Sequence, residues 1–381
     1  MENPILSTCS HIFEQSVLGQ IKYCPLDKME IKVALPLNDL KIQRNKWLIE
    51  NPTHRVNAHL DDIHGMIKLH NSQLVSGSKD TTIKVWDMTL SLKNTIQAKG
   101  SKTYENWITA LNPTEKGFIA ARRTGEISLF EGDREINTWR YKPGFNTKNQ
   151  TLSKDRNKTR INCVYQNPYN LNEFFTGTPH YLQKWNSEGR MLWHRKAHEH
   201  DWVYCLDFIN ETKWIVVIGS TIEIWNQKYN NTETELLLKE DKIEFKKPQR
   251  PHVSAIKRVT FDTNLLASAL FDGSVKIIDL DKQQIHASFE EHKGRVWAVE
   301  NLSRDLLASS ADDRSIKIWD LRAKNSSHTL NNHPGRVSSI LRTADYTLLS
   351  ASCPDNPHTA DQKGSLYMWD IRYTKESFNK N

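Results

Sequence analysis

Histidine, serine and aspartate occur in this chain in the set that a hydrolase uses for nucleophilic attack. His292, Ser309 and Asp313 would supply a base, a hydroxyl and an orienting carboxylate. The same trio recurs as His59, Ser76 and Asp80 at identical spacing. A nucleophilic centre is assembled once, whereas a packing device is repeated with the unit it packs, so the recurrence argues for structure rather than catalysis. The other residues with ligand chemistry are Cys9, His11 and Cys24. A structural zinc needs four donors, and the opening Cys-x-x-Cys pair of a zinc module is absent, so no metal site is expected. Nothing in the sequence asks for a cofactor.

The elements that hold these trios repeat as well. Each trio leads into a β-branched run closed by Trp-Asp: "TIKVWD" at Trp86-Asp87 and "SIKIWD" at Trp319-Asp320, with a third copy, "SLYMWD", at Trp369-Asp370. Degenerate copies end at Phe130, Trp185, Trp225 and Ile278, so seven endings lie 40 to 55 residues apart, the length of a four-stranded unit plus loops. In "LLASSADDRSIKIWD" (306–320), small Ser and Ala beside Leu and Ile suit closely stacked sheets, and Asp-Asp-Arg suits a tight reversal.

These units resemble the WD-repeat family. The resemblance implies an all-β, seven-bladed β-propeller over residues 53–381. In that family a buried His, Ser or Thr, Asp and Trp form a hydrogen-bonded chain. The matching residues are His59, Ser76, Asp80 and Trp86 in blade one, and His292, Ser309, Asp313 and Trp319 in blade six. Blade five keeps Ser268 and Asp272 but has Ile278 for the Trp; blades two, three and four lack the Asp. The stretches "MLWHRKAH" (191–198), "HASFEEH" (286–292) and "SHTLNNH" (327–333) read as outermost strands leading into the next blade. "THRVNAH" (53–59) has the same form with no blade before it, so it is expected to be the outer strand of blade seven, sealing the ring and removing an exposed sheet edge. Residues 140–160 and 226–252 read as long surface excursions between blades.

The chain has 381 residues and a net charge of +7. No apolar run approaches the roughly 18 residues of a membrane span, and Met1 opens without a basic, apolar signal segment, so a soluble, cytoplasmic protein with no membrane partner is expected. The nucleus, or delivery into a host cell from a bacterial source, is the alternative location. Five scattered cysteines do not form a disulfide framework. Lys and Arg are dispersed rather than striped, which favours a solvated surface over a nucleic-acid partner.

Residues 1–50 fall outside the repeat pattern. Pro4-Ile5, the run Cys9, His11, Phe13, Glu14, then "CPLDK" (24–28) and "LPLNDLK" (35–41) resemble, in order and spacing, the U-box, a zinc-free α+β relative of the RING finger. In that family hydrogen bonds and ion pairs replace the metals, which fits Glu14 and Asp27. The full U-box begins further upstream, so the segment is expected to be N-terminally truncated. The resemblance implies docking of a ubiquitin-conjugating enzyme through Ile5, Pro25, Leu26 and Lys28, and catalysis by positioning with no nucleophile of its own.

The expected function is therefore a ubiquitin-protein ligase, with a protein substrate bound by the propeller. The alternative is a non-enzymatic scaffold or substrate receptor with a vestigial U-box. "WDLR" (319–322) and "WDIR" (369–372) resemble the boxes by which propellers dock an adaptor of cullin-type ligases, with Arg322 and Arg372 as contacts. A partner on the propeller would meet the residues before each innermost strand, Asp62, Asp201, Arg295 and Arg336, with Trp107 and Trp202 nearby.

Overall fold

A computed structural model describes residues 4–6, 12–14, 51–97, 106–140, 160–197, 202–229, 235–244, 252–259, 264–323, 325–354 and 363–372. Seven four-stranded antiparallel sheets follow one another around a ring. The inner strands, from blade one onward, are Ile63–Lys68, Ile108–Pro113, Cys163–Gln166, Val203–Phe208, Val253–Arg258, Val296–Asn301 and Val337–Ala344. Each touches the next, and blade seven touches blade one, so the ring is closed.

Closure uses both ends of the repeat region. His54–His59 pairs antiparallel with Gly364–Asp370 and is the fourth strand of blade seven. Ala58 of this strand is buried with Leu349, Ala351, Leu366 and Met368 of blade seven and Ile63, Leu74 and Trp86 of blade one.

The core is divided rather than central. Seven apolar clusters lie one at each blade-to-blade interface; Ile67, Val75, Ile83 and Val85 of blade one, for example, meet Ile108, Phe118, Ala120 and Phe130 of blade two. Burial along the strands follows from this. The second strand of each blade is covered on both faces, so Leu306–Ala311 ("LLASSA") and Leu74–Ser78 ("LVSGS") are buried throughout and read as unbroken small or apolar runs. Outer strands sit on the rim, and Leu92–Gln97 and Arg134–Arg140 alternate between water and sheet. Close stacking also fixes a glycine. A Cβ on Gly177 would lie 2.6 Å from both Cys163 Sγ and Val203 Cγ1, so no larger residue fits between blades three and four.

The two His-Ser-Asp trios are parts of this packing. In blade one, His59 Nδ1 meets Asp80 Oδ2 at 3.0 Å, His59 Nε2 meets Ser76 Oγ at 2.7 Å, and Trp86 Nε1 donates to Ser76 Oγ at 2.9 Å. Blade six repeats it with His292 to Asp313 at 2.8 Å, His292 to Ser309 at 2.7 Å, and Trp319 to Ser309 at 2.8 Å. A neutral imidazole satisfies every partner: Nδ1–H donates to the carboxylate and Nε2 accepts the serine proton. Burial holds His59 below its ordinary pKa, which favours that neutral form. Ser76 and Ser309 are buried and already bonded on both sides, so neither hydroxyl can reach a substrate.

Blade seven carries a third chain that the sequence reading did not identify. His333 Nε2 meets Ser350 Oγ at 2.9 Å, Trp369 Nε1 donates to the same oxygen at 2.9 Å, and the Arg314 carbonyl replaces the Asp as acceptor of Nδ1, at 3.2 Å. The histidine and serine are 17 residues apart in all three blades. In blade five, where Ile278 replaces the Trp, Ser268 turns its hydroxyl to the Lys276 carbonyl at 3.1 Å.

At the other end of the inner strands, side chains staple blades one, five and six each to the blade before it. Arg258 donates to the Ile209 carbonyl at 3.1 Å, Lys68 Nζ to the Thr343 carbonyl at 2.5 Å, and Asn301 Nδ2 to the Val259 carbonyl. The stretch 226–252, expected as an excursion, instead contains the outer strand of blade four. Thr221–Tyr229 and Glu235–Glu244 pair along their whole length, and the Gln227 to Tyr229 end runs past the last paired residue of the neighbouring strand, Lys213. The stretch 141–159 lies outside the described residues.

Replacing Ser309 with Ala orphans both His292 Nε2 and Trp319 Nε1–H in a dry interface. Thermal or urea unfolding should show a loss of about 2–4 kcal/mol for Ser309→Ala, against a negligible change for Gln284→Ala at an exposed rim position. An unchanged midpoint for Ser309→Ala would contradict a structural role for the chain.

Candidate partner-binding face

Each inner strand begins, and each second strand ends, at the same end of the ring, and backbone bonds tie the two together. Lys79 N–H donates to the Asp62 carbonyl, Arg123 to Trp107, Gly219 to Trp202, Phe271 to His252, Asp312 to Arg295, and Cys353 to Arg336, all at 2.9–3.0 Å. Because the inner strands surround the axis, these residues and their strand neighbours surround one mouth of the central channel.

Their side chains form a belt of cations and aromatic rings. Arg336 Nη2 reaches Asp62 Oδ2 at 2.7 Å across the blade seven to blade one seam, and Lys79 pairs with the same carboxylate. Arg336 also lies 5.5 Å from the Trp297 ring, whose Nε1 donates to Asp312 at 2.6 Å. Trp297 stands edge-on to Phe271 at 5.3 Å, and Arg295 covers Phe271 at 5.1 Å. Phe271 then meets Tyr204 at 5.9 Å, Tyr204 stacks with Trp202 at 6.1 Å, and Arg160 lies over Trp202 at 5.7 Å. On the far side Lys79 and Arg123 each lie 4.8 Å from the Trp107 ring.

The belt is rigid and charged. Burial favours the neutral acid at Asp62, yet the hydrogen bond from Lys79 and the charges of Arg336 and Lys79 hold its carboxyl below the ordinary value. His64, beside Trp107, is pushed down to about 3, first by burial and then by the positive charge of Arg160. Five cationic side chains (Lys79, Arg123, Arg160, Arg295, Arg336) stand against two carboxylates, Asp62 and Asp312, among the described residues of the belt. Arg295 is exposed, whereas Asp62 is buried. The mouth therefore presents positive charge over half-exposed aromatic faces, a surface for acidic and aromatic groups.

Of the residues expected here, Arg295, Arg336, Trp107 and Trp202 are on the belt. Asp62 is under it, as the counter-ion of Arg336 rather than a contact. Asp201 lies outside the described residues. Sequence reasoning missed Lys79, Phe271 and Asp312, although a signal exists: each is three residues past the tetrad serine position, Ser76, Ser268 and Ser309.

The other candidate contacts are more local. Arg322 Nε and Nη2 fold back onto Asp320 at 3.2 and 3.1 Å, and Arg372 Nε onto Asp370 at 2.9 Å. Both arginines remain about 60% exposed, 63% and 61% by side chain, so each has an internal partner that an adaptor would have to share. Ile5 lies in the strand Pro4–Leu6, opposite Phe13 of Ile12–Glu14; Pro25, Leu26 and Lys28 lie outside the described residues. Among the described residues no group of three or more His, Cys, Asp or Glu could hold a metal ion, and no helix is long and apolar enough to cross a membrane. Cys163, Cys205 and Cys353 are free and buried, and burial pushes the Cys163 thiol up to about 12.

Comparison with known proteins agrees with the geometry. The family model described as WD domain, G-beta repeat matches residues 50–87 and 283–320, the two stretches that hold the complete His-Ser-Asp-Trp chains. The crystal structure of the WD40 beta propeller domain of Doa1 superposes with a TM-score of 0.62 at 13% identity, over 84% of this chain and 96% of that one. That likeness is one of fold. A comparison with curated proteins finds no match.

Two buried imidazoles, His64 beside the belt and His333 in the blade seven chain, predict how acid acts on the molecule. His64 titrates near 3 and His333 near 4 in the folded chain, both lowered first by burial, against about 6.5 when unfolded. Below pH 6.5 the unfolded state binds protons that the folded state refuses, so stability should fall as pH drops from about 6.5 to about 3–4. Melting temperature measured against pH should show this decline, and His333→Gln should lower the neutral-pH midpoint while flattening the decline.

Proposed function

We propose that this chain, which carries WD40 repeats in a seven-bladed β-propeller, is a protein-interaction scaffold that holds an acidic, aromatic-bearing segment of a partner on the belt around the channel mouth. The observation that carries the reading is the continuity of the belt from Arg160 through Trp202, Tyr204, Phe271, Trp297 and Arg336 to Asp62. Arg and aromatic side chains held by ion pairs and ring contacts lose little freedom when a partner docks, and such residues are the usual energetic anchors of interfaces. Excess positive charge would speed encounter with an acidic segment and discriminate against basic ones. The test is binding of fluorescent Glu/Phe-containing peptides and of their Lys/Phe counterparts. The acidic set should bind and weaken about tenfold or more in Arg295→Glu, a substitution at an exposed side chain that spares the fold. Equal binding of both sets, or no effect of Arg295→Glu, would refute the reading.

The resemblance of residues 1–50 to a U-box supports a finer reading, a ubiquitin-protein ligase in which that segment recruits the charged conjugating enzyme through Ile5, Pro25, Leu26 and Lys28 and the propeller presents the substrate. The Trp-Asp-x-Arg pairs support a second route to ubiquitin, through an adaptor on Arg322 and Arg372. Autoubiquitination with a panel of conjugating enzymes separates these. Products that disappear in Pro25→Ala support the first route. Capture of a cullin-ligase adaptor that is lost in Arg322→Ala/Arg372→Ala supports the second. Failure of both leaves the scaffold alone.

A further inference from the structure

One aromatic ring is the hub of the belt's contacts. Phe271 meets side chains from three blades: Tyr204 of blade four at 5.9 Å, His252 of its own blade five at 5.9 Å, and Trp297 and Arg295 of blade six at 5.3 and 5.1 Å. The backbone fixes where the ring stands. Leu270 N–H donates to the Ser274 carbonyl at 3.0 Å, closing a tight turn over "LFDGS" (270–274), and Phe271 N–H donates to the His252 carbonyl at 2.9 Å. Gly273 adopts a φ of +87°, and a Cβ there would lie 2.7 Å from the His292 carbonyl oxygen, so the turn admits glycine alone. Asp272 caps the same turn, accepting the Ser274 N–H at 3.0 Å and the Ser274 hydroxyl at 2.5 Å. A large apolar ring is thus held at the mouth on the tip of a pinned hairpin.

The contacts of this ring differ in how firmly they are held. His252 stacks on Phe271 at 22°, whereas Tyr204 and Trp297 stand edge-on at 70° and 61°. All three are half-buried, and Trp297 is anchored further by its N–H to Asp312 at 2.6 Å. Arg295 is different: it is exposed, it lies over the Phe271 ring, and no carboxylate among the described residues pairs with it. A cation–π contact in water is weak, so an incoming group can displace this guanidinium at little cost. At the Trp107 end of the belt the corresponding cation is less free to leave, because Lys79 is held by Asp62 as well as by the ring.

We propose that Phe271 and Arg295 form one subsite: an aromatic side chain of the partner takes the face of Phe271 that Arg295 covers, and the displaced guanidinium pairs with an acidic residue beside that aromatic in the partner's sequence. This rests on the reading of the belt as a partner-binding face and narrows it, from any acidic, aromatic-bearing segment to one in which the two residue types are neighbours. The exchange leaves no group without a partner. Ring-on-ring contact replaces ring-on-guanidinium contact, and the guanidinium trades a weak contact for a charge-assisted hydrogen bond. Geometry sets the neighbour rule. An extended segment advances about 3.5 Å per residue, so a single arginine side chain can serve an acid no more than about two residues from the aromatic.

Fluorescence anisotropy of the full chain tests this with labelled peptides of one length: Glu directly beside Phe, the same two residues separated by roughly six Gly and Ser positions, Glu beside Leu, and Gln beside Phe. The adjacent Glu-Phe peptide should bind about tenfold or more tighter than each of the others. In Phe271→Leu the advantage of Phe over Leu should disappear while that of Glu over Gln is kept. In Arg295→Gln the advantage of Glu over Gln should disappear. Melting temperature reports whether each variant is folded, and the spacing comparison on the unsubstituted chain needs no variant. Binding indifferent to spacing, or a preference for Phe over Leu that survives in folded Phe271→Leu, would overturn this inference while leaving the broader reading of the belt intact. Absence of binding by every acidic peptide would overturn both.

Discussion

The pairing of His54–His59 with Gly364–Asp370 is the constraint on which the molecule depends. A blade buries its apolar surface only against its neighbours, and the seven clusters of the core are seven interfaces rather than one interior. A ring with one seam open would expose the faces of two blades and the edge of Gly364–Asp370 at once. Supplying the last strand from the N-terminal side ties the two ends of the repeat region together by main-chain hydrogen bonds. The seam is further crossed by Arg336 to Asp62 and by Lys68 to Thr343, one contact at each mouth. The belt at the channel mouth is therefore a product of closure.

The hydrogen-bonded chains show how a repeat tolerates decay. Their common element is the hydroxyl between imidazole and indole, which satisfies two buried nitrogens at once. In blade seven the Asp is absent and a backbone carbonyl takes its place. In blade three Trp185 Nε1 finds Thr176 instead of Ser, at 2.9 Å, and in blade four Trp225 Nε1 finds Glu223 Oε2 at 3.1 Å. What is kept in each case is a partner for the indole N–H, because an unpaired donor in a dry interface costs more than any one partner contributes. This also settles the catalytic appearance of His292, Ser309 and Asp313. The residue types are those of a triad, but the serine is bonded from both sides and closed to water.

How far the sequence reveals this depends on where each signal is stored. Strand endings such as "SIKIWD" are local, so the blades and the sealing strand at 53–59 are readable from a single chain. The blade seven chain was overlooked because Trp369 follows Ser350 by 19 residues, whereas the interval is 10 in blades one and six; a longer loop separates them. The pairing of Thr221–Tyr229 with Glu235–Glu244 was hidden for a similar reason, since the polar stretch between them in the sequence, 230–234, and the Lys and Glu that follow read as a loop. The burial of Asp62 is not legible in its local sequence, because its partner Arg336 is 274 residues away.

The two mouths differ for a reason that lies in the strand itself. At the starting end of an inner strand the flanking residues sit in turns, where long side chains can lean across to the next blade, and this favours Arg and Trp contacts over neighbouring rings. At the far end the sixth position of the strand reaches back to a carbonyl of the preceding blade in blades one, five and six, which engages Lys68, Arg258 and Asn301 Nδ2 as staples. Cations are thus presented to solvent at one mouth and spent on the backbone at the other.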